Sequence, residues 1–72
     1  MEREEFNRCA AKYQDTVYRV ALNCFGSTAD AEDAVQEVFL RLYTASPDFE
    51  SEEHRRRWLI RVALNYCKNE LR

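Results

Sequence analysis

The chain has 72 residues, of which 46% are hydrophobic, and this content is enough for one small domain with its own core. Three cysteines without a CxxC pair, together with a single histidine, argue against a zinc site and against a disulfide framework. The sequence has no apolar run of membrane-spanning length and no leader-like N-terminus, so we expect a cytoplasmic protein.

The formal net charge of −2 hides an uneven distribution. Residues 1–52 carry five lysines and arginines against eleven acids, whereas residues 53–72 carry six against two. Such a division is typical of a protein with two different partners, but it also occurs where charge serves solubility alone. One glycine and one proline leave little room for turns, and helical periodicity dominates, so we predict an all-α bundle of three helices.

Apolar residues repeat at helical spacing through residues 4–25, which predicts the first helix. Gly26 follows the last of them, at the position where a residue in the left-handed conformation often ends a helix. The residues expected to face the core are Phe6, Cys9, Ala10, Tyr13, Val17, Val20, Ala21 and Cys24.

Ser27 and Thr28 offer an N-cap for a second helix over residues 28–45. Acidic residues crowd its first turn, where they interact favourably with the positive end of the helix dipole. The residues expected to face the core are Ala31, Ala34, Val35, Val38, Leu42 and Ala45, with Phe39 at the edge of this face.

The opposite face of the second helix carries Asp33, Gln36, Glu37 and Leu40 at spacings of three and four; we call it the acidic face. One interpretation is that these side chains only solvate the helix, with Glu37 paired to Arg41 one turn further on. The other is a docking face for a basic partner surface, in which Leu40 is an apolar centre within a polar rim. The pattern by itself leaves both interpretations open.

Ser46 and Pro47 end the second helix, and Ser51 is a candidate N-cap for the third. Phe49 is a single aromatic residue in the short acidic loop between them. It either folds back onto the core or stays at the surface as a stacking platform for an unpaired base.

The third helix is predicted over residues 52–72. Most of its circumference is apolar, and Trp58, at the edge of the apolar arc, is assigned mainly to packing. His54 is interpreted as a solvated residue at the helix end rather than a ligand. A narrow set of basic and amide side chains recurs at spacings of three and four. We call it the basic stripe, and its members are His54, Arg57, Arg61, Asn65, Lys68 and Arg72.

Three strings of the sequence resemble a known family. DAEDAVQEVFLRLY (30–43), the loop with Phe49, and WLIRVALNYCKNELR (58–72) look like the second region of bacterial RNA polymerase sigma factors. The opening FNRCAAKYQDTVYRVALNCFGS (6–27) also fits the compact extracytoplasmic-function (ECF) group of that family. The resemblance covers nearly the whole chain.

The resemblance implies two partners. Core RNA polymerase would be bound through its beta-prime clamp helices. The positions that match the contact motif are Asp33, Gln36 and Glu37, and Leu40 lies beside them. Promoter DNA would be melted and read at the minus-ten element on the non-template single strand. Phe49 and Asn65 match positions that surround a flipped base. The phosphate-following residues implied are Arg57, Arg61, Lys68 and Arg72.

Residues 1–72 are therefore expected to form a single sigma region 2 domain, a fragment that lacks the helix-turn-helix domain of the family. No arrangement typical of nucleophilic catalysis, phosphate binding or metal binding is present, so we expect no enzymatic activity, metal or cofactor. Two alternatives stay open. One is a helical interaction module that binds polymerase or an anti-sigma factor without recognising DNA. The other is a small enzyme that uses Asp30, Asp33 and Glu37.

Overall fold

A computed structural model describes residues 1–71 of the chain. It contains three α-helices: α1 over Arg3–Phe25, α2 over Thr28–Ala45 and α3 over Glu52–Glu70. Each helix packs against the other two, and the contact between α1 and α2 is the most extensive. The predicted all-α bundle of three helices is confirmed. In the part of the chain that the structure describes, no helix is both long and apolar enough to cross a membrane.

Helix α1 begins at Arg3, one residue before the predicted start. The carboxylate of Glu2 accepts hydrogen bonds from the backbone N–H groups of Glu4 and Glu5, at 2.9 and 3.2 Å. These bonds satisfy two of the free donors at the helix N-terminus and lower the pKa of the Glu2 carboxyl. An acidic N-cap therefore extends the helix toward the start of the chain.

The turn between α1 and α2 has the predicted geometry. Gly26 has a φ of 66°, in the left-handed region, and its N–H donates to the carbonyl of Leu22 at 2.8 Å. Ser27 then caps α2, since its hydroxyl accepts from the N–H of Asp30 at 3.3 Å. A tight turn of this kind brings two long helices into immediate contact.

Helix α3 is capped by Ser51, whose hydroxyl accepts from the N–H of His54 at 3.0 Å. The helix ends at Glu70, close to the predicted end. Leu71 has a φ of −84° and a ψ of −1°, which is the bridge conformation found where helical geometry stops. Arg72 lies outside the described residues.

The core is built from the faces that helical periodicity predicts. Val17, Val38, Leu42, Leu59 and Ala63 are buried between the three helices. A second cluster, nearer the α1–α2 turn, contains small residues that permit a close helix approach: Ala21, Ala31, Ala34 and Cys67.

Two core assignments on α2 were wrong. Ala45 is exposed because it is the last residue of the helix and the chain turns away at Ser46. Phe39, placed at the edge of the core face, is buried and has 7% of its surface exposed. Its ring packs edge-on against Phe6 of α1, at 6.4 Å between centroids. The wide contact of α2 with α1 thus covers a broader arc than the predicted face.

Candidate functional site

The acidic face of α2 points away from the core. Asp33 and Gln36 are exposed, and Leu40 has 57% of its surface exposed. Glu37 forms an ion pair with Arg41 one turn further on, at 3.4 Å, and both side chains remain partly exposed. A surface pair of this kind contributes little to stability. The face therefore offers two carboxylates and an amide around a solvent-exposed leucine.

Tyr43 extends the acidic face and was not assigned to it from the sequence. It lies three residues after Leu40, on the same side of α2, and 51% of its surface is exposed. Its ring packs edge-on against Phe6 of α1, at 5.2 Å between centroids. The spacing from Leu40 was the available signal, but the contact with α1 that orients the ring is a tertiary feature.

The basic stripe on α3 is solvent-facing from Arg57 to Lys68. Arg57, Arg61, Asn65 and Lys68 are all exposed. Arg57 lies 3.4 Å from Glu53, and both side chains are more than half exposed. Within residues 1–71, neither Arg61 nor Lys68 takes part in an ion pair. The positive charge of the stripe is therefore largely uncompensated by the protein.

Two shallow depressions lie along the stripe and share Arg57 and Arg61. His54 and Trp58 complete the first, and Ile60, Leu64 and Asn65 complete the second. Leu64 has 48% of its surface exposed and lines this second depression beside Asn65. Each depression thus combines cationic groups with an apolar wall, which is the composition suited to a nucleotide.

His54 departs from the rest of the stripe, because it is half-buried. Its Nδ1 accepts a hydrogen bond from the backbone N–H of Glu50 at 3.1 Å. Its ring packs edge-on against Phe49, at 5.3 Å between centroids. His54 therefore braces the α2–α3 loop and is not a freely solvated residue.

Phe49 is half-buried and packs against the main core cluster. Its ring is 5.7 Å from the ring of Trp58 in an edge-on arrangement, and the guanidinium of Arg55 lies 5.1 Å from its centroid. Phe49 is thus anchored at the base of α3. Asn65 lies seven residues beyond Trp58, about 10 Å further along the helix axis, so Phe49 and Asn65 occupy different parts of one surface.

Glu52, one of the acids near Phe49, is engaged within the protein. Tyr13 of α1 donates a 2.6 Å hydrogen bond to the carboxylate of Glu52, and Lys12 lies 3.3 Å from the same carboxylate. The hydrogen bond from Tyr13 holds the pKa of Glu52 below its ordinary value. Arg55 bridges Glu52, at 3.2 Å, and Glu5 of α1, at 2.9 Å. Sequence reasoning missed Tyr13, Glu5 and Arg55 in this role.

The three acids that the enzyme hypothesis would use, Asp30, Asp33 and Glu37, do not form one cluster. Asp30 and Asp33 line an open depression with Tyr66 and Glu70, whereas Glu37 is paired with Arg41. Burial, followed by the nearby Glu70, raises the pKa of Tyr66. In the described part of the chain, no group of three or more histidine, cysteine or acidic side chains has the geometry of a metal site.

The cysteines have the environment of structural thiols. Cys67 is buried, and burial together with the neighbouring Cys24 thiol raises the pKa of its thiol to about 11. Burial also raises the pKa of the Cys9 thiol. A nucleophilic cysteine has a lowered pKa, so neither thiol has the activation that covalent catalysis requires.

Comparison with known proteins gives a consistent result. A family model described as Sigma-70 region 2 matches residues 9–72. The RNA polymerase sigma-H factor of Pseudomonas aeruginosa is 29% identical over 97% of this chain and 36% of its own length. The ECF RNA polymerase sigma factor SigW of Bacillus subtilis is 32% identical over 83% of this chain and 32% of its own length.

A further relative is the ECF RNA polymerase sigma-E factor of Haemophilus influenzae, 34% identical over 97% of this chain and 36% of its own length. The chain thus spans about a third of the length of these curated relatives. No solved structure matches the chain.

Proposed function

The chain belongs to the sigma-70 region 2 family, and we propose that it forms the part of an ECF sigma factor that binds core RNA polymerase and opens the promoter. The observation that carries this proposal is the exposed and largely uncompensated part of the basic stripe from Arg57 to Lys68, in a chain whose family model covers residues 9–72. A transcription-initiation role is non-enzymatic and belongs to the cytoplasm.

Core polymerase binds at the acidic face of α2 in this proposal. Carboxylates of Asp33 and Glu37 pair with basic side chains of the beta-prime clamp helices, which steers the two surfaces together and sets their register. Leu40 loses its exposed apolar surface in the contact, and this burial contributes about 25 cal/mol per Å². Tyr43 adds an aromatic flank of the kind enriched at interface centres.

Promoter DNA binds at the other surface, which comprises Phe49 and the basic stripe. Arg57, Arg61 and Lys68 follow the phosphates of the melted non-template strand and provide salt-dependent affinity. Asn65 presents both a donor and an acceptor to a base edge of the minus-ten element. Phe49 supports a flipped base by stacking, a contact worth about 1–3 kcal/mol per base.

Binding to a single strand, with and without polymerase, tests this proposal. A fluorescent oligonucleotide with the non-template minus-ten sequence of a cognate promoter is titrated with the 72-residue chain, alone and with core polymerase, at several salt concentrations. We expect weak binding by the chain alone, stronger binding with core polymerase, and an affinity that falls as salt rises.

The competing function is an interaction module that binds polymerase or an anti-sigma factor without recognising DNA. If the chain binds polymerase but does not bind the oligonucleotide, or if it binds the oligonucleotide independently of salt, the DNA-binding half of the proposal is contradicted. That result favours the interaction module. Failure to bind core polymerase contradicts the other half.

A further inference from the structure

Arg55 differs from its neighbours in the run His54–Arg57, although the sequence presents them as one basic segment. The Arg55 side chain has 17% of its surface exposed, whereas Arg57 has 64%. Its guanidinium lies 2.9 Å from the carboxylate of Glu5 on α1 and 3.2 Å from that of Glu52 at the start of α3. A guanidinium committed to two carboxylates is not available to a phosphate.

The same guanidinium lies against the ring of Phe49, at 5.1 Å from its centroid. That distance is within the range of a cation–π contact. The Phe49 ring also lies in T-shaped contact with His54 and Trp58, so Arg55 is a third neighbour of the ring. Arg55 therefore joins three parts of the protein: α1, the first turn of α3 and the loop that carries Phe49.

The surroundings of Arg55 suit a role other than stabilising the fold. Its Nε is buried and, within residues 1–71, has no hydrogen-bond partner. Glu5 and Glu52 keep 41% and 55% of their side chains exposed, so water can solvate both if Arg55 is removed. An apolar side chain of similar length at this position often stabilises a protein as well as such an ion-pair network does.

We propose that Arg55 is a positioning residue, which sets the orientation of Phe49 for base stacking and does not itself bind the DNA backbone. This inference rests on the proposed function of the Phe49 surface. The stiff, planar guanidinium holds the ring while its charge is neutralised by Glu5 and Glu52. Arg55 thus affects promoter-DNA affinity by orienting the Phe49 ring, whereas Arg57 affects it by its charge.

The first measurement concerns the loop itself and needs no DNA. Arg55→Met keeps most of the side-chain length and removes the guanidinium. We expect a Tm within about 4 °C of the parent chain. The proton NMR shifts of Phe49 and Trp58, which depend on their mutual ring orientation, are expected to change. Glu5→Gln removes one anchor of Arg55 at a partly exposed site and is expected to produce a smaller change of the same kind.

The second measurement separates geometry from charge. Affinity for the minus-ten oligonucleotide, with core polymerase present, is measured against salt for Arg55→Met and for the matched variant Arg57→Met. We expect Arg55→Met to weaken binding about two- to fivefold, the size of one cation–π contact. Its salt dependence is expected to match that of the parent. Arg57→Met is expected to lower the slope of log K against log salt by about 0.7.

Two outcomes overturn the inference. In the first, the proton NMR shifts of Phe49 and Trp58 are unchanged in both Arg55→Met and Glu5→Gln, which means that Arg55 does not hold the ring. The other is a slope lowered in Arg55→Met as much as in Arg57→Met, which makes Arg55 a phosphate contact. A third outcome separates this inference from the proposed function. If the Phe49 and Trp58 shifts change in Arg55→Met, but DNA binding is normal in Arg55→Met, Arg57→Met and Phe49→Ala alike, the proposed DNA function is contradicted. The contact by which Arg55 holds the loop is then still supported.

Discussion

Tyr13 on α1 donates a 2.6 Å hydrogen bond to the carboxylate of Glu52, the first residue of α3. The two residues are 39 positions apart in the chain, and the bond joins the N-terminal half of α1 to the base of the surface that carries Phe49. Lys12 adds an ion pair to the same carboxylate. The packing of α3 on α1 therefore depends on the charge of the Glu52 carboxyl group.

The stability of the bundle is expected to fall in acid as Glu52 becomes protonated. Its pKa is lowered from an ordinary value of 4.5, first by the hydrogen bond from Tyr13 and also by Lys12. A carboxyl with a lowered folded-state pKa contributes stability above its unfolded value, and this is lost as pH falls below 4.5. Thermal unfolding followed by circular dichroism between about pH 7 and about pH 3 measures the effect.

Glu52→Gln is expected to flatten this pH dependence in part, because the N-cap Glu2 has a lowered pKa as well. Glu50→Gln is the matched control, since Glu50 is an exposed loop carboxylate with no side-chain ion pair within residues 1–71. If the stability of the parent chain and that of Glu52→Gln fall in the same way as the pH is lowered, the Tyr13–Glu52 contact does not stabilise the fold.

Removing the charges of the acidic face is expected to weaken polymerase binding. Asp33→Ala combined with Glu37→Ala deletes both carboxylates while leaving the buried face of α2 unchanged. We expect the Kd for core polymerase to rise about tenfold or more, equivalent to about 1.4 kcal/mol. The measurement is a binding titration with core polymerase in the absence of DNA.

Asp48→Asn serves as the control for the acidic face, because it removes an exposed carboxylate from the loop instead. Circular dichroism checks that the double variant keeps its fold. If the folded double variant binds polymerase as the parent does, the docking face lies elsewhere on the domain.

Reversing the charge of Arg61 is expected to abolish binding of the non-template single strand. Arg61 is exposed at the shared wall of both depressions, so Arg61→Glu replaces an attractive phosphate contact by a repulsive one. Arg19→Glu makes the same change at an exposed position of α1 and is expected to have a much smaller effect. Equal losses for the two variants indicate a general charge effect rather than a binding site on α3.

Shortening the two candidate reader side chains is expected to impair promoter opening while leaving polymerase binding unchanged. Asn65→Ala acts at an exposed site, where such changes usually shift stability by about 0.5 kcal/mol or less. Phe49→Ala also removes the packing on Trp58 and is expected to lower Tm. Fluorescence of a base analogue at the minus-ten element reports opening.

Asn23→Ala, an exposed asparagine on α1, is the matched control for Asn65→Ala. Loss of polymerase binding together with promoter opening in Phe49→Ala points to misfolding and to a purely structural role of Phe49. Normal opening by Asn65→Ala contradicts its assignment as a base reader.

Replacing Gly26 is expected to destabilise the domain through backbone strain. With a φ of 66°, Gly26 has a conformation that costs other residues about 1–2 kcal/mol, although a β-carbon there meets no atom within 4 Å. Gly26→Ala is expected to lower the free energy of unfolding by that amount in urea denaturation. Gly26→Asn, which tolerates the left-handed region better, is expected to lose less. Equal stability of all three chains contradicts the strain argument.

Much of this protein could be predicted from local sequence features. The helix bounds follow from side chains at most four residues apart: Ser27 and Ser51 as N-caps, Gly26 as the left-handed terminator, and apolar residues at spacings of three and four. The same periodicity assigned seven residues to solvent-facing positions: Asp33, Gln36, Glu37, Leu40, Arg57, Arg61 and Asn65. Glu37 is half-buried, and the other six are exposed. The acidic face and the basic stripe are therefore local properties of single helices, whereas the placement of Phe49 and Tyr43 is not.

The tertiary structure decided what each residue of the run His54–Arg57 does. Periodicity fixes the direction in which a side chain leaves its helix, but it does not reveal which group from another helix lies there. Glu5 is 50 positions from Arg55, and its carboxylate meets the guanidinium only because α1 packs against the start of α3. That packing leaves the Arg55 side chain only 17% exposed, beside Phe49, and leaves Arg57 in solvent, so two arginines of one basic run have different environments.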